Sequence, residues 1–457
     1  MTYRRHTIIP PYLLRRLAES AEAQVAAPAR HTLRADETLR ALRATPSSYP
    51  SPPRSAVIAE AAVNREISDA HNTEQLPGTV VRREGAPASG DAAADEAYDG
   101  FGATWVLFHE AYGRNSIDDA GLLLAGTVHY ATGYDNAFWD GSRMVFGDGD
   151  GQIFGRFTAS LEVIGHELTH GVTERTSGLI YQGQPGALNE HISDVFGSLV
   201  KQHELGQDAA AADWLIGADL LLPGVEGVAL RSMIAPGTAY DDPRLGKDPQ
   251  PDHMDRYVTT SDDHGGVHIN SGIPNRAFAL AARSIGGQAW VAAGRVWYDV
   301  LTGGKLRSDA DFATFAALTV EAAAARFGDG GTEHRAIVDG WAQVGLGAGS
   351  VPGSGGADPA PDLAVPGDAD LLLRRTGGVT GVVRERRASL DDLPPKDARR
   401  WTTLLTTNTL TALAGRDPIA DGYCYRVACE VLSVDVTVGE QDLDEAQRKL
   451  FRRTLTG

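Results

Sequence analysis

The apolar pattern along the chain predicts a strand-rich region followed by a helical one. Segments with strand and turn character come first, among them Thr127–Tyr130 and Gly147–Gly151 (GDGDG). Helix-spaced apolar positions dominate from Phe157 onward, for example over Leu161–Val172 and Phe312–Arg326. Strands followed by helices are typical of an α+β body. We therefore predict a two-lobed domain, with a sheet-rich lobe and a helical lobe around a cleft.

Two linkers of biased composition divide the chain. Pro46–Ser55 is rich in proline, and Gly347–Gly367 mixes glycine and serine with proline. A chain of 457 residues is also long enough for two or three domains. We predict an N-terminal segment over 1–55, a main domain over 56–347, a linker over 348–366 and a C-terminal domain over 367–457.

The charge balance limits the partners of the protein. The 42 Lys and Arg against 60 Asp and Glu give a net charge of −18, which argues against nucleic acids and anionic membranes as partners. Within the chain, the N-terminal 55 residues are basic and the main domain is strongly acidic. A solvated basic tail fits this charge distribution. The apolar run from Ile8 to Leu14 instead favours docking of the segment on the main domain.

The N-terminus does not read as a signal peptide, and no apolar run is long enough to span a membrane. Ile8-Ile9 is interrupted by Pro10-Pro11, and Leu13-Leu14 runs directly into Arg15-Arg16. We therefore expect the protein to be cytoplasmic, or to be exported by a route that needs no signal sequence.

The segment His166-Glu167-Leu168-Thr169-His170 matches an HExxH pattern. On a helix, both imidazoles share one face and can reach one metal ion, with Glu167 beside it. The pattern alone also fits an amphipathic helix with two partly exposed histidines. Twenty residues later, Glu190 offers a third ligand, which leaves one coordination position open for water. Asp194, one helical turn further, can accept the second N–H of a ligand histidine.

A third polar cluster surrounds His268. A Gly-Gly turn precedes this histidine, and Asp263 can hold its imidazole. Without a metal centre nearby, an ordinary loop histidine would be the better interpretation. We interpret His264, His191 and His203 as ordinary structural histidines.

Three segments, the HExxH pattern, the stretch from Glu190 to Asp194 and the cluster around His268, resemble in their order and spacing the thermolysin family of zinc metallopeptidases. The likeness extends over roughly residues 65–347 and includes Asn136–Trp139, Gly178–Tyr181 and Leu230–Met233. The Pro10-Pro11-Tyr12 motif is similar to the short propeptide of protealysin-type members. The resemblance implies an inhibitory prosegment over residues 1 to about 55, which is removed on maturation.

The resemblance also implies a role for each site residue. It implies that His166, His170 and Glu190 bind the zinc ion and that Glu167 is the general base. It also implies that Tyr181 and His268 donate hydrogen bonds to the developing oxyanion and that Asp263 orients His268. For the substrate, the resemblance implies that Asn136, Ala137 and Arg231 grip the peptide backbone. It implies an apolar pocket for a bulky residue after the scissile bond, formed by Phe154, Phe157, Val163 and Leu230. The four pocket residues also fit ordinary core packing.

The chain departs from calcium-stabilised relatives at one site. It keeps Glu162 and Asp213 where these relatives have a carboxylate cluster, but Lys201, Leu215 and Ala218 occupy other ligand positions. An ammonium group cannot bind a cation. We predict that Lys201 pairs with Glu162 and Asp213 in place of calcium.

A small α+β domain is predicted after residue 370. Its expected elements are a hairpin over Leu371–Arg387, a helix that opens at Pro394-Pro395, strands over Tyr423–Val438 and a helix over Asp442–Arg453. Cys424 and Cys429 lie five residues apart on a strand, so they should face opposite sides and not pair. The RRTGG, LPP and DGYCYRV stretches resemble emfourin, an inhibitor of protealysin-like peptidases. An accessory or substrate-binding module is the alternative.

The predicted function is that of a zinc metalloendopeptidase zymogen, which acts on proteins or peptides and is held in check by its own prosegment and C-terminal domain. A pocket for apolar residues predicts maturation near Ala56-Val57-Ile58. Two alternatives are a catalytically silent protein whose inhibitor domain binds other peptidases, and a purely structural zinc protein.

Overall fold

The computed structural model describes residues 6–42, 61–347, 369–377, 383–406, 410, 423–429, 434–443 and 445–456. They belong to two compact units, one within Thr2–Pro352 and one within Gly353–Gly457. The predicted linkers over 46–55 and 348–366, and the maturation site at 56–58, lie outside the described residues. The α+β class predicted for both units is confirmed.

A mixed six-stranded sheet forms the first half of the larger unit. Its strands are β1 His6–Thr7, β2 Arg65–Asp69, β3 Thr79–Arg83, β4 Leu124–Val128, β5 Ala137–Trp139 and β6 Met144–Phe146. The strand order is β1-β5-β6-β4-β2-β3, with β4 parallel to its neighbours β2 and β6. Strand β4 is buried throughout. It ends before the predicted Tyr130 because His129 and Ala131 adopt φ values of 52° and 54°, which a strand does not allow.

One long helix, α3 (Ala92–Tyr112), packs on this sheet against β2 and β4. The Asp91 side chain accepts a hydrogen bond from the Ala94 amide at 2.9 Å and caps its N-terminus. Gly113, at φ 71°, ends the helix in a left-handed conformation.

The second half of the larger unit is helical. Its helices are α4 Leu161–Arg175, α5 Gly183–Glu204, α6 Asp263–Asn270, α7 Gly272–Ile285, α8 Ala293–Thr302, α9 Phe312–Phe327 and α10 Thr332–Ala342. The predicted helices over 161–172 and 312–326 are therefore confirmed. The 3₁₀ turn Phe157–Ala159 precedes α4. Short elements between the helices are the 3₁₀ turns Ala218–Leu220 and Met254–Arg256 and the two-residue strands β7 Leu215–Ile216, β8 Arg231–Ser232, β9 Asp241–Asp242 and β10 Gly246–Lys247.

Helices α4 and α5 approach closely at two glycines. A Cβ atom at Gly197 would lie 2.3 Å from the Glu162 carbonyl oxygen, and one at Gly165 would lie 3.1 Å from the Gly197 Cα. Side chains at either position would push the helices apart. The glycines thereby let the HExxH face of α4 meet the polar face of α5.

The N-terminal segment packs against the larger unit as β1, α1 (Pro11–Ala18) and α2 (Ala23–Leu42). Ile8, Ile9, Leu13, Leu14 and Leu17 are all at most 2% exposed and join the main apolar cluster. Docking of the apolar run is thus confirmed, and the solvated tail is wrong for this part of the segment. The ion pair between Arg15 and Asp262, at 3.5 Å, is largely exposed and contributes little to this docking.

The described residues of the smaller unit form an antiparallel sheet and two helices. The strands are β11 Asp370–Gly377, β12 Arg384–Ser389, β13 Tyr423–Cys429 and β14 Val434–Gly439, in the order β12-β11-β13-β14. The helices are α11 Pro395–Thr406 and α12 Glu445–Thr456, with 3₁₀ turns at Leu390–Asp392 and Glu440–Asp442. Trp401 and Phe451 stack in its core at 4.8 Å. Cys424 and Cys429 are unpaired, as predicted.

The part of the chain that the structure describes contains no helix long and apolar enough to cross a bilayer.

Candidate metal centre and substrate cleft

The two histidines of the HExxH segment face each other on α4. Their Nε2 atoms lie 3.0 Å apart, and both side chains are fully buried. Glu190 enters from α5, with its carboxylate oxygens 3.4 Å from each Nε2 atom. One ligand atom from each of these three residues lies within 4.8 Å of the others. The sequence-predicted trio is therefore brought together.

The donor set fits a zinc ion. Two imidazoles and one carboxylate are the ligands of open, catalytic zinc sites. Glu190 Oε2 is buried and has no hydrogen-bond partner among the described residues. Burial opposes ionisation of Glu190, but the imidazoles of His268, His170 and His166 outweigh it and hold its pKa well below the usual value. A carboxylate kept ionised beside two converging ring nitrogens is suited to a divalent cation.

Hydrogen bonds behind the ligands orient both rings. His166 Nδ1 lies 2.8 Å from Asp194 Oδ1, as the helical spacing predicted. His170 Nδ1 lies 2.8 Å from Asn189 Oδ1 and 3.0 Å from Ser193 Oγ. Each Nδ1–H is thus occupied, which leaves the Nε2 lone pairs for a metal. Asn189 and Ser193 were not predicted from the sequence, although both lie on the same polar stretch of α5 as Glu190.

Glu167 lies beside this trio with one oxygen engaged. Its Oε2 accepts a hydrogen bond from the Trp139 amide at 3.1 Å, whereas Oε1 is buried without a partner in the described residues. Burial raises the pKa of Glu167 to about 8, with His166 acting in the opposite direction. Glu167 thus lies beside the trio with one oxygen available to accept a proton.

On the other side of the trio, α6 presents His268. Asp263 to Gly266 have positive φ, and this left-handed turn lets Asp263 accept from the His268 amide at 2.9 Å and approach its Nδ1 at 2.7 Å. Burial disfavours the imidazolium, but the Asp263 and Glu190 carboxylates outweigh it and raise the pKa of His268 to about 9. His268 can therefore donate from Nε2 at neutral pH.

The hydroxyl of Tyr181 lies 3.2 Å from His268 Nε2 and donates a hydrogen bond to Glu190 Oε1. Burial, followed by Glu190 and Asp263, raises the pKa of Tyr181 well above its usual value, so the hydroxyl keeps its proton. Two N–H or O–H donors thus face the same side of the metal-ligand trio.

The N-terminal segment lies in this cleft as an added strand. Strand β1 pairs antiparallel with β5, and the Ile8 amide donates to the Ala137 carbonyl at 3.3 Å. The Thr7 carbonyl lies 3.0 Å from His268 Nε2. A peptide carbonyl thus occupies the position that faces the predicted oxyanion donor.

Two further residues predicted to bind the substrate backbone hold the same strand. Arg231 Nη1 donates to the Ile8 carbonyl at 3.4 Å. Asn136 accepts from the Ile9 amide at 3.0 Å and donates to its carbonyl at 3.4 Å. Arg231 also makes two bonds to Asp194, at 2.9 and 2.8 Å, which the sequence reasoning missed.

The four predicted pocket residues are all at most 4% exposed. Phe154, Phe157, Val163 and Leu230 lie in the same apolar cluster as Ile8 and Ile9, and the two phenylalanine rings are 5.9 Å apart. Their role as a specificity pocket stays a prediction.

The predicted replacement for calcium has the expected geometry. Lys201 Nζ lies 3.0 Å from Asp213 Oδ2 and 3.5 Å from Glu162 Oε1. Glu162 is fully buried, and its Oε1 also accepts from the Gly217 amide at 3.1 Å.

The three histidines that the sequence presented as ordinary structural residues lie in different surroundings. His191 is buried, and burial lowers its pKa to about 4. The His203 ring packs 5.1 Å from Trp290, and the His264 ring lies 5.6 Å from Tyr181.

Comparison with known proteins gives three family matches. The catalytic and α-helical domains of the thermolysin metallopeptidases match residues 56–174 and 177–346, and Emfourin matches 373–455. An "Extracellular metalloprotease" of Pectobacterium carotovorum subsp. carotovorum is 52% identical over 340 residues, which is 74% of this chain and 96% of that protein. "Protease PrtS" of Photorhabdus sp. (strain Az29) is 47% identical over 347 residues, or 74% and 91%. The solved precursor of protealysin, a metalloproteinase from Serratia proteamaculans, is 52% identical with a TM-score of 0.68, over 75% of this chain and 99% of that one.

Proposed function

The chain belongs to the thermolysin family of metallopeptidases and is a zinc metalloendopeptidase; we propose that His166, His170 and Glu190 hold the zinc ion and that Glu167 is the general base. The convergence of three buried ligand atoms beside a carboxylate with one unengaged oxygen carries this assignment. Bound zinc supplies Lewis acidity and lowers the pKa of a water ligand to about 7.

The residues around the trio divide the work of peptide hydrolysis. Glu167 takes one proton from the attacking water and passes it to the leaving amine as the C–N bond breaks. Tyr181 and His268 donate hydrogen bonds to the oxygen of the attacked carbonyl as it gains negative charge. Asp263 keeps His268 in place. Asn136, Ala137 and Arg231 hold the substrate backbone against β5.

The assay that tests this compares the processed wild type with Glu167→Ala on a protein substrate. We expect a loss of at least about 10²-fold in turnover, because a general base contributes on this scale. The variant should retain one zinc per chain, since Glu167 is not a ligand. Equal activity in both proteins would exclude the enzymatic proposal. A wild type that binds zinc but has no activity would favour the structural zinc protein. A wild type with neither zinc binding nor activity would favour a catalytically silent protein that carries an inhibitor domain.

We also propose that the N-terminal segment is an inhibitory prosegment that binds like a substrate. Thr7 offers its carbonyl to the oxyanion donor, and Ile8 and Ile9 make the backbone hydrogen bonds expected of the residues after a scissile bond. In this register Ile8 follows the attacked carbonyl. The position of this isoleucine supports cleavage before bulky apolar residues, with Phe154 and its apolar neighbours as the pocket.

Two measurements test the prosegment. The unprocessed chain should be inactive towards added peptides, and activity should appear with a new N-terminus between residues 50 and 65. Activity without any processing would contradict inhibition. Cleavage of a mixed peptide library should show apolar residues directly after the cut, and a preference for charged residues there would contradict the assigned pocket.

For the C-terminal domain we propose a regulatory, inhibitor-type role. The Emfourin match supports it, while an accessory or substrate-binding module is the alternative. The peptidase activity of the processed full chain should be compared with that of a chain ended at residue 347. Higher activity of the short form on a small peptide would support inhibition. Equal activity on the peptide with lower activity on a protein substrate would support the accessory module.

We propose further that Lys201 makes the calcium site of related enzymes unnecessary. Its ammonium group occupies the space between Glu162 and Asp213, where a cation would otherwise offset the two negative charges. Thermal unfolding should therefore not shift when a calcium-selective chelator is added. Calcium bound between these carboxylates would refute the proposal.

The location of the active protein is also a proposal. The name of the Pectobacterium relative describes it as extracellular, which supports export of this chain over retention in the cytoplasm. Immunodetection in cell and culture fractions of an intact producing strain tests this, with a cytoplasmic enzyme as the lysis control. If the protein is found only in the fractions that contain this cytoplasmic enzyme, the proposed export is wrong.

A further inference from the structure

A continuous series of hydrogen bonds runs from α8 to the metal-ligand trio. Trp297 Nε1 lies 2.7 Å from His191 Nε2, and His191 Nδ1 lies 2.8 Å from Asn275 Oδ1. Asn275 Nδ2 lies 2.8 Å from Asp194 Oδ2, and Asp194 Oδ1 lies 2.8 Å from His166 Nδ1. All five residues are at most 1% exposed. The series therefore connects an indole to a proposed zinc ligand without reaching solvent.

The chemistry at each end determines the direction of every bond. An indole N–H can only donate, so His191 Nε2 accepts and its Nδ1–H donates to Asn275. An ionised carboxylate can only accept, so the Asn275 amide must turn its Nδ2 towards Asp194. Both ends require the same orientation of Asn275 and the same tautomer of His191. Asp194, as an acceptor, also takes the Nδ1–H of His166, which leaves the Nε2 lone pair of His166 pointing into the trio.

Asn275 also limits the rotation of the Asp194 carboxylate. Arg231 donates to both oxygens of Asp194, at 2.9 and 2.8 Å, from one side. Asn275 donates to Oδ2, and His166 donates to Oδ1. Without the Asn275 bond, Oδ2 would be held by Arg231 alone, and the carboxylate could turn towards the guanidinium and away from the histidine.

We propose that Trp297, His191 and Asn275 are positioning residues of the metal centre, which fix the tautomer and orientation of His166 through Asp194. This inference rests on the proposed zinc-binding role of His166. It changes the interpretation of His191, which the sequence alone presented as an ordinary structural histidine.

The first test measures zinc affinity of the full chain by competition with a chelator. Trp297→Phe keeps an aromatic ring but removes the indole N–H, and we expect about 10-fold weaker zinc binding, at the lower end for outer-shell partners. Trp341→Phe is the matched control, because this buried indole also loses one bond, to Thr319 Oγ1 at 2.8 Å, and stacks on Trp297. The control should bind zinc within 2-fold of the wild type.

The second readout uses the metal-free protein. Nitrogen NMR of labelled histidines should show the Nδ1–H tautomer of His191 in the wild type. In Trp297→Phe the Nε2 resonance of His191 should shift, because this nitrogen loses its hydrogen-bond donor. If that variant does not fold, Asn275→Ala cuts the series at another point, and the same loss of zinc affinity is expected.

The outcomes separate this inference from the proposed function. A wild type that binds no zinc would remove the zinc site itself. Tight zinc binding by the wild type, with equal affinities in Trp297→Phe and Trp341→Phe, would overturn only the positioning role. An Nε2–H tautomer of His191 in the wild type would overturn it as well.

Discussion

Replacing Lys201 by methionine should destabilise the larger unit strongly. The change keeps the length of the side chain but removes the only ammonium group that the described residues place on Glu162. Glu162 is fully buried, and its Oε2 has no hydrogen-bond partner in the described residues. The variant must therefore either keep an uncompensated charge in the interior or protonate Glu162.

The expected loss follows from this burial. Removing one partner of a buried ion pair costs about 3–5 kcal/mol of unfolding free energy. Burial already raises the pKa of Glu162, and Lys201 opposes this shift. Without Lys201 the pKa rises further, so the native state binds a proton that the unfolded state releases, and stability falls as pH increases. The loss should be larger at pH 8 than at pH 5.

The assay is chemical unfolding of the full chain at both pH values, with and without a calcium chelator. The control is Lys305→Met, because the Lys305–Glu321 pair at 2.6 Å is exposed on both sides and such pairs contribute about 0–1 kcal/mol. The double variant Lys201→Met with Glu162→Gln should recover part of the loss. Equal effects of the Lys201 and Lys305 changes, or a calcium requirement of the wild type, would refute the reasoning.

Three further changes have defined outcomes. Tyr181→Phe removes one of the two proposed oxyanion donors and should lower kcat by about 10²–10³-fold with little change in KM, as measured by steady-state kinetics. An unchanged kcat would exclude this role. Leu14→Ala removes a fully buried side chain and costs about 2–5 kcal/mol of docking free energy, so limited proteolysis should cleave the N-terminal segment at least ~30-fold faster. An unchanged rate would contradict its docking. His129 is held by Asp148 and Asp91 at 2.8 and 3.1 Å, which raise its pKa against the effect of burial. His129→Asn should therefore reduce stability most below pH about 6.5 and progressively less as pH rises, because the raised pKa contributes only while the imidazole is charged; a pH-independent difference in unfolding would exclude that ion pair.

The main features of the site were predictable because its chemistry is local in sequence. His166 and His170 are one helical turn apart, and so are Glu190 and Asp194, so helical periodicity alone places each pair on one face. Docking of the apolar run in the N-terminal segment was also predictable, because isoleucine and leucine side chains favour burial wherever an apolar surface is available. The basic charge of the same segment predicted a solvated tail and was misleading, because exposed ion pairs contribute little.

The connections between these local patterns depended on the tertiary structure. Asp194 meets Asn275, and His191 meets Trp297, across 81 and 106 residues of chain, and no local periodicity relates them. The same holds for the Thr7 carbonyl at His268, which are 261 residues apart. Hydrogen-bond partners are determined by distance and direction to within a few tenths of an ångström, and only the packed helices and the paired strands supply these. The residue types limit which hydrogen bonds are chemically possible. The tertiary structure determines which of these bonds form.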